Sequence, residues 1–198
     1  MAGRRLSQEI NAGSMADIAF LLLVFFLVTT TMDASWGLSR KLPPPILENQ
    51  PPPPPIKDRN VFVVLANAND QLLVEGELMD ISELREAAKE FIANPQRKDN
   101  LPEFKISDVP LFGQMEVSKQ VISLQNDRGT SYNLYIQVQN ELAAAYTELR
   151  NDLAEQKFGI SYQKLIDEDK PSNKQKIKAI RGVYPQRISE AEPKNVGG

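Results

Sequence analysis

The sequence predicts an α+β domain carried at the end of a single N-terminal membrane-spanning helix, and three observations predict it. The only apolar run of membrane length, residues 18–32, lies near the N-terminus with Asp17 at its head. A proline-dense stretch follows. Beyond it, two short runs rich in valine and leucine, 61–65 and 71–74, precede segments whose apolar residues recur at helical spacing.

Composition narrows the chemistry. Neither cysteine nor histidine occurs among the 198 residues, which removes Cys/His zinc sites, Cys and Ser-His nucleophile pairs and disulfides. The absence of thiols fits an oxidising compartment. Phosphate-cradling GxGxxG and GxxxxGK(S/T) loops are missing as well. A net charge of −3, with no basic patch interleaved with aromatics, gives no general pull toward nucleic acid. The expectation is a chain that is not an enzyme, holds no cofactor or metal ion and binds no nucleic acid.

Residues 1–14 read as a short cytoplasmic arm, because Arg4 and Arg5 stand on the near side of the apolar run. Arg40 and Lys41 on the far side weaken that bias. Residues 15–34 read as the transmembrane helix. Its first 18 residues rise about 27 Å at about 1.5 Å each, close to the roughly 30 Å of bilayer hydrocarbon. Trp36, just outside, suits the headgroup level and equally suits an ordinary domain position. Helical spacing puts Gly13, Asp17, Phe20, Leu21, Val24, Val28 and Thr31 along one face. A carboxylate on that face costs several kcal/mol unless water, a partner or a proton accompanies it, so Asp17 is the candidate functional residue. Its bland reading is a membrane-edge Asp that caps the helix. A secretory signal peptide is the rival for the whole segment, but no A-x-A cleavage site follows, and Glu9 and Asp17 are unusual before such a core.

Residues 35–57 read as a Pro-rich linker. Eight of the fourteen prolines fall between Pro43 and Pro55, so the stretch settles into polyproline II. At about 3.1 Å per residue it is a stiff spacer of about 40 Å. The alternative, a ligand for an SH3-type module, needs a cytosolic partner.

Residues 58–198 read as an α+β domain. Two strands, 61–65 and 71–74, make a hairpin around the turn-rich 67–70. An unpaired edge left by this hairpin is expected to accept a strand from a partner or a second copy, a point that proline scanning along 61–65 and 117–124 would test. Asp80 followed by Glu83 reads as a capping box, with Ile81, Leu84, Ala88 and Phe91 at helical spacing up to Asn94. Residues 96–114 read as irregular because of Pro102, Pro110 and Gly113, and 117–124 as one strand closed by 126–129. A long helix spans 133–158 on Val138, Leu142, Tyr146, Leu149 and Leu153. The basic tail from Asp167 reads as a solvated helix and terminal strand, with Ile177, Ile180 and Val183 docking on the domain. Asp167, Glu168 and Asp169 lack the glycine and spaced carboxylates of a calcium loop.

The segment from Asn11 through Asp17 to Thr29 resembles the ExbD/TolR family, whose span opens with N-x-T-P-L-x-D and closes with F-F-x-V-T. Asn11, Asp17, Phe25, Phe26, Val28 and Thr29 match, Met15 replaces Leu, and Gly13 and Ser14 depart from Thr and Pro. Ser14 is then expected to serve as the N-cap. Residues 126–132 resemble the family's A-D-R-x-x-x-Y element more weakly.

The resemblance implies an inner-membrane, single-pass subunit of a proton-driven motor, N-terminus cytoplasmic and domain periplasmic. It implies a dimer whose spans thread a ring of ExbB/TolQ-type subunits and pass work to a TonB/TolA-type protein. Asp17 is then the proton-carrying group, alternating between a neutral and a charged form, with Asn11, Ser14, Phe20, Leu21, Val24, Val28 and Thr31 as its supporting face. A proton crossing 100 mV releases roughly 2.3 kcal/mol, enough to bias a two-state rearrangement. The expected role is energising TonB-dependent transport across the outer membrane. The alternatives are a TolR-like envelope-maintenance subunit that binds peptidoglycan and, from another class, a secreted or anchored binding domain with no motor role.

Overall fold

The computed structural model describes residues 12–29, 56–168 and 170–190. The expectations for the arm before residue 12, for Asn11, Thr31 and Trp36, and for the Pro-rich spacer lie outside the described residues. The chain divides into two compact units, 1–52 and 53–198.

The first unit contains α1 (Ala12–Thr29). Its large apolar side chains, Ile18 and Phe20 through Leu27, are all exposed, so it buries no single stripe within its own unit. Among the described residues no helix is long and apolar enough to cross a membrane. The expected span runs 15–34, and 30–34 lie outside the described residues. Ser14 sits inside α1, two residues past its start, which contradicts the expected N-cap.

The second unit is built on a five-stranded sheet, β1 (Val61–Ala66), β2 (Leu72–Val74), β3 (Glu77–Met79), β6 (Val121–Asn126) and β7 (Ile188–Glu190), in the order β3-β2-β1-β6-β7. Strict alternation in β1 sends Phe62, Val64 and Ala66 to one face. Ile122 and Leu124 of β6 join them, because β1 and β6 pair in parallel from Val61↔Val121 to Ala66↔Asn126. Helices α2 (Ile81–Ala93) and α3 (Tyr132–Phe158) cover that face with Leu84, Ala88, Phe91, Val138, Leu142 and Tyr146. The mixed sheet under helices is the expected α+β architecture.

The hairpin expected over 61–74 forms, with Val64 opposite Val74. The edges of the sheet lie beyond the two strands of that hairpin: β1 lies between β2 and β6, and β6 between β1 and β7, so among the described residues the edge strands are β3 and β7. Strand β3 was unforeseen. It follows a two-residue turn, Glu75-Gly76, in which both residues have positive φ, as the preferred hairpin turn demands.

Two further expectations are corrected. Residues 96–114 are not irregular throughout: β4 (Phe104–Val109) pairs antiparallel with β5 (Gly113–Ser118) in a separate two-stranded sheet. Pro102 and Pro110 flank β4 rather than breaking it. The single strand 117–124 is two strands that part at Lys119 and Gln120. The Gln120 side chain, 1% exposed, leaves the ladder to donate to the Pro185 carbonyl at 2.9 Å and to accept from the Tyr146 hydroxyl at 2.7 Å.

The tail is helix and strand as expected: α4 (Tyr162–Asp167), α5 (Pro171–Val183) and β7. Ile180 and Val183 are buried and Ile177 half-buried. With Val109, Val117, Leu153, Ala154, Tyr162 and Leu165 they form a second core, capped by the β4–β5 hairpin. Gly182 permits the closest approach, since a Cβ there would lie 3.1 Å from Val109 Cγ1.

Candidate functional site

Within α1, continuous helix from Ala12 to Thr29 carries Asp17, Phe20, Leu21 and Val24 at steps of three and four residues, hence along one side. All four are exposed. Val28 lies on the same helical course. At the far end, the Thr29 hydroxyl donates to the Phe25 carbonyl at 2.8 Å, so this polar residue is satisfied by its own helix. Phe25 and Phe26 meet edge to face at 5.9 Å. The chemistry this offers is narrow: one carboxylate on an otherwise apolar helix, with the hydroxyl of the last residue turned back onto the backbone. Such a helix can present that one carboxylate while packing against apolar neighbours.

The domain holds three arrangements that sequence reading missed. Glu103 is the first. Its carboxylate accepts from Lys57 Nζ at 2.6 Å, from Lys119 Nζ at 3.0 Å and from the Arg59 guanidinium. These bonds, Lys57's the largest, hold its carboxyl down at about 2. The cluster ties the start of the domain to the corner between β5 and β6, and no local signal reveals it because the partners lie far apart in sequence.

The second is the polar seam between the two cores. The Tyr146 hydroxyl donates to Gln120 and accepts from the Arg187 N–H at 3.3 Å, while the Arg150 guanidinium donates twice to the Tyr184 carbonyl. Burial is the main reason the Tyr146 hydroxyl is pushed up to about 12.

The third is an open groove of ≈ 520 Å³ between the β3 edge and the starts of α2 and α3. Its polar lining comes from Asp70, Gln71, Asp80, Ser131, Asn133 and Gln137, with Leu78 beside them. Both helices begin there because both are capped: Asp80 accepts from the Ser82 N–H and Ser131 from the Leu134 N–H. Tyr132 stands 76% exposed immediately after Ser131. The one signal read from the sequence was the Asp80 cap.

Among the described residues no group of three or more carboxylates is placed to hold a metal ion.

The profile of the family described as biopolymer transport protein ExbD/TolR matches residues 3–152. The match takes in α1 with Asp17, the five-stranded sheet except β7, and α3 as far as Asp152. This chain belongs to the ExbD/TolR family, the energy-transducing subunits of biopolymer transport. Members are in general single-pass inner-membrane, non-enzymatic subunits that associate with ExbB/TolQ-type and TonB/TolA-type proteins. No curated protein matches the chain significantly. The last turn and a half of α3, and all of α4, α5 and β7, lie beyond the family match.

Proposed function

We propose that the chain is the inner-membrane subunit of a proton-motive-force-driven motor that energises TonB-dependent transport across the outer membrane, with Asp17 as its proton-carrying group. The observation that carries the reading is the family match running through α1, where a lone carboxylate heads an apolar helix. In this reading residues 15–34 span the bilayer, 1–14 lie in the cytoplasm and the linker 35–57 carries the domain 58–198 in the periplasm. Two copies pair inside a ring of ExbB/TolQ-type subunits. Asn11, Ser14, Phe20, Leu21, Val24, Val28 and Thr31 supply the face along which the spans adjust as Asp17 gains and loses its proton. Leaving a charge there costs several kcal/mol, so each protonation step changes which packing of the helices is favoured.

The test is proton flux through liposomes containing the chain and its ring subunit under a pH gradient. Asp17→Asn is expected to abolish flux while the complex still purifies intact. Undiminished flux in that variant overturns the assignment.

A TolR-like role in envelope maintenance is the second reading, and the groove beside β3 favours it. Side-chain amides, carboxylates and an exposed tyrosine are the groups that hold a sugar strand, and peptidoglycan is the strand within reach of a periplasmic domain. Sedimentation of the chain with purified sacculi, lost in Tyr132→Ala with Asn133→Ala, separates the two roles.

A further inference from the structure

Several cations of the domain are neutralised locally. Glu103 takes Lys57, Arg59 and Lys119, Glu141 and Glu148 take Arg85, Glu148 also takes Lys89, and Glu116, Glu90 and Glu168 take Arg97, Lys98 and Lys170. Helix α5 stands outside these pairs. It carries Lys174, Lys176, Lys178 and Arg181 with no acidic residue, and none of the four is in an ion pair with a described residue. Lys174, Lys178 and Arg181 are exposed at helical spacing, opposite the buried Ile180 and Val183.

The remaining cation links this stripe to the β4–β5 hairpin. Lys176 Nζ lies 5.1 Å from the Phe158 ring centre, Phe158 stacks on Phe112 at 5.6 Å, and Lys157 Nζ lies 5.9 Å from the Phe112 ring. Phe112 directly follows the hairpin apex. There the Phe112 N–H donates to the Val109 carbonyl at 3.0 Å, closing a turn with Pro110 second and Leu111 third. Leu111 has φ +69° and is 59% exposed. That position of a proline-led turn calls for glycine or asparagine. Here a leucine is held in the left-handed region and pointed at solvent, so the strain is not offset by burial, and such outliers concentrate where a ligand is met.

An apolar side chain held out at the apex of a hairpin that packs against a lysine-bearing helix is the chemistry of an interfacial membrane contact: the apolar tip enters the acyl boundary and the lysines meet phosphates. An acidic protein would match the lysine stripe but gives no reason for the strained leucine. Nucleic acid would need open stacking planes, and Phe112 and Phe158 stack on each other. We propose that the hairpin apex at Leu111 and the cations of α5 together form a contact surface for an anionic phospholipid bilayer. The inference rests on the anchored reading above, which keeps the domain tethered near such a surface.

The test uses the full chain in nanodiscs of phosphatidylcholine alone or mixed with phosphatidylglycerol, with acetylation of each lysine read by mass spectrometry and exposed Lys105 as reference. Lys174 and Lys178 are expected to be acetylated several-fold more slowly in the anionic discs, with the difference lost at high salt. Leu111→Asn, which suits the positive φ, is expected to keep or raise the melting temperature while removing most of that protection. Equal acetylation in both discs overturns the proposal, as does protection that appears only when a protein partner is added. A chain that enters neither disc refutes the anchoring itself, and the proposal falls with it.

Discussion

The Tyr146 hydroxyl donates to the Gln120 amide oxygen at 2.7 Å, and this bond joins the helix covering the main sheet to the corner where β5 becomes β6. Both side chains are almost fully buried. Tyr146→Phe leaves Gln120 Oε1 and the Arg187 N–H without this partner, and an unmade buried bond costs about 1–3 kcal/mol. The variant is expected to fold with a lower denaturant midpoint and an unchanged slope.

The same tyrosine predicts an alkaline limit. Its folded-state value, about 12, stands above its ordinary 10.0, so the folded protein holds the proton more tightly than the unfolded chain does. Its contribution is complete below about pH 10 and is lost as pH rises toward 12. The loss is on the order of 2 kcal/mol by linkage. Urea melts from pH 9 to 11.5 are expected to show a steeper decline in the native chain than in Tyr146→Phe.

Glu103 predicts the acid side. The Lys57, Lys119 and Arg59 bonds hold its carboxyl at about 2 against an ordinary 4.5, so its contribution is complete above about pH 4.5 and disappears as pH falls toward 2. Glu103→Gln is expected to lower the melting temperature at pH 7 and to flatten its fall between pH 5 and 2.5. Parallel acid profiles in the two proteins would contradict the role given to the cluster.

Gly129 allows the loop before α3 to lie against the β1–β2 loop, because a Cβ there would stand 2.8 Å from the Ala68 Cβ. Gly129→Ala must push the two loops apart, and overpacking of this kind costs about 1–3 kcal/mol. Calorimetry is expected to show the loss, with Ala68→Gly in the same chain recovering part of it.

Asp80 caps α2 through the Ser82 N–H and also accepts from the Ser82 hydroxyl. Asp80→Ala is expected to destabilise the domain. Hydrogen exchange is expected to rise first at the amides of the opening turn.

What the sequence revealed was local. The helix at Asp80–Asn94 was legible from its cap and apolar spacing, and that at 133–158 from apolar spacing alone, signals that lie within a few residues of one another. Asp17 was legible because a charge in an apolar run stands out before any fold is known. β4 was hidden because it fully buries only Val109, leaving no alternation to read. The break at Gln120 depends on Tyr146 and Pro185, one 26 and the other 65 residues away. Glu83 suggested a reciprocal cap, whereas Asp80 settled on Ser82. Leu111 was invisible as a feature, since its positive φ belongs to the turn and not to the residue type.

The parallel register of β1 and β6 sets how the domain responds to a pull. β1 is the first strand after the point where the chain enters the folded unit, and six residue pairs bind it to β6. Tension applied at residue 57 and resisted at the far end of β6 runs along both strands, so it loads those pairs in shear, all at once. Detaching β1 therefore demands the simultaneous failure of the whole row, where a hairpin pulled from its open end would peel one bond at a time.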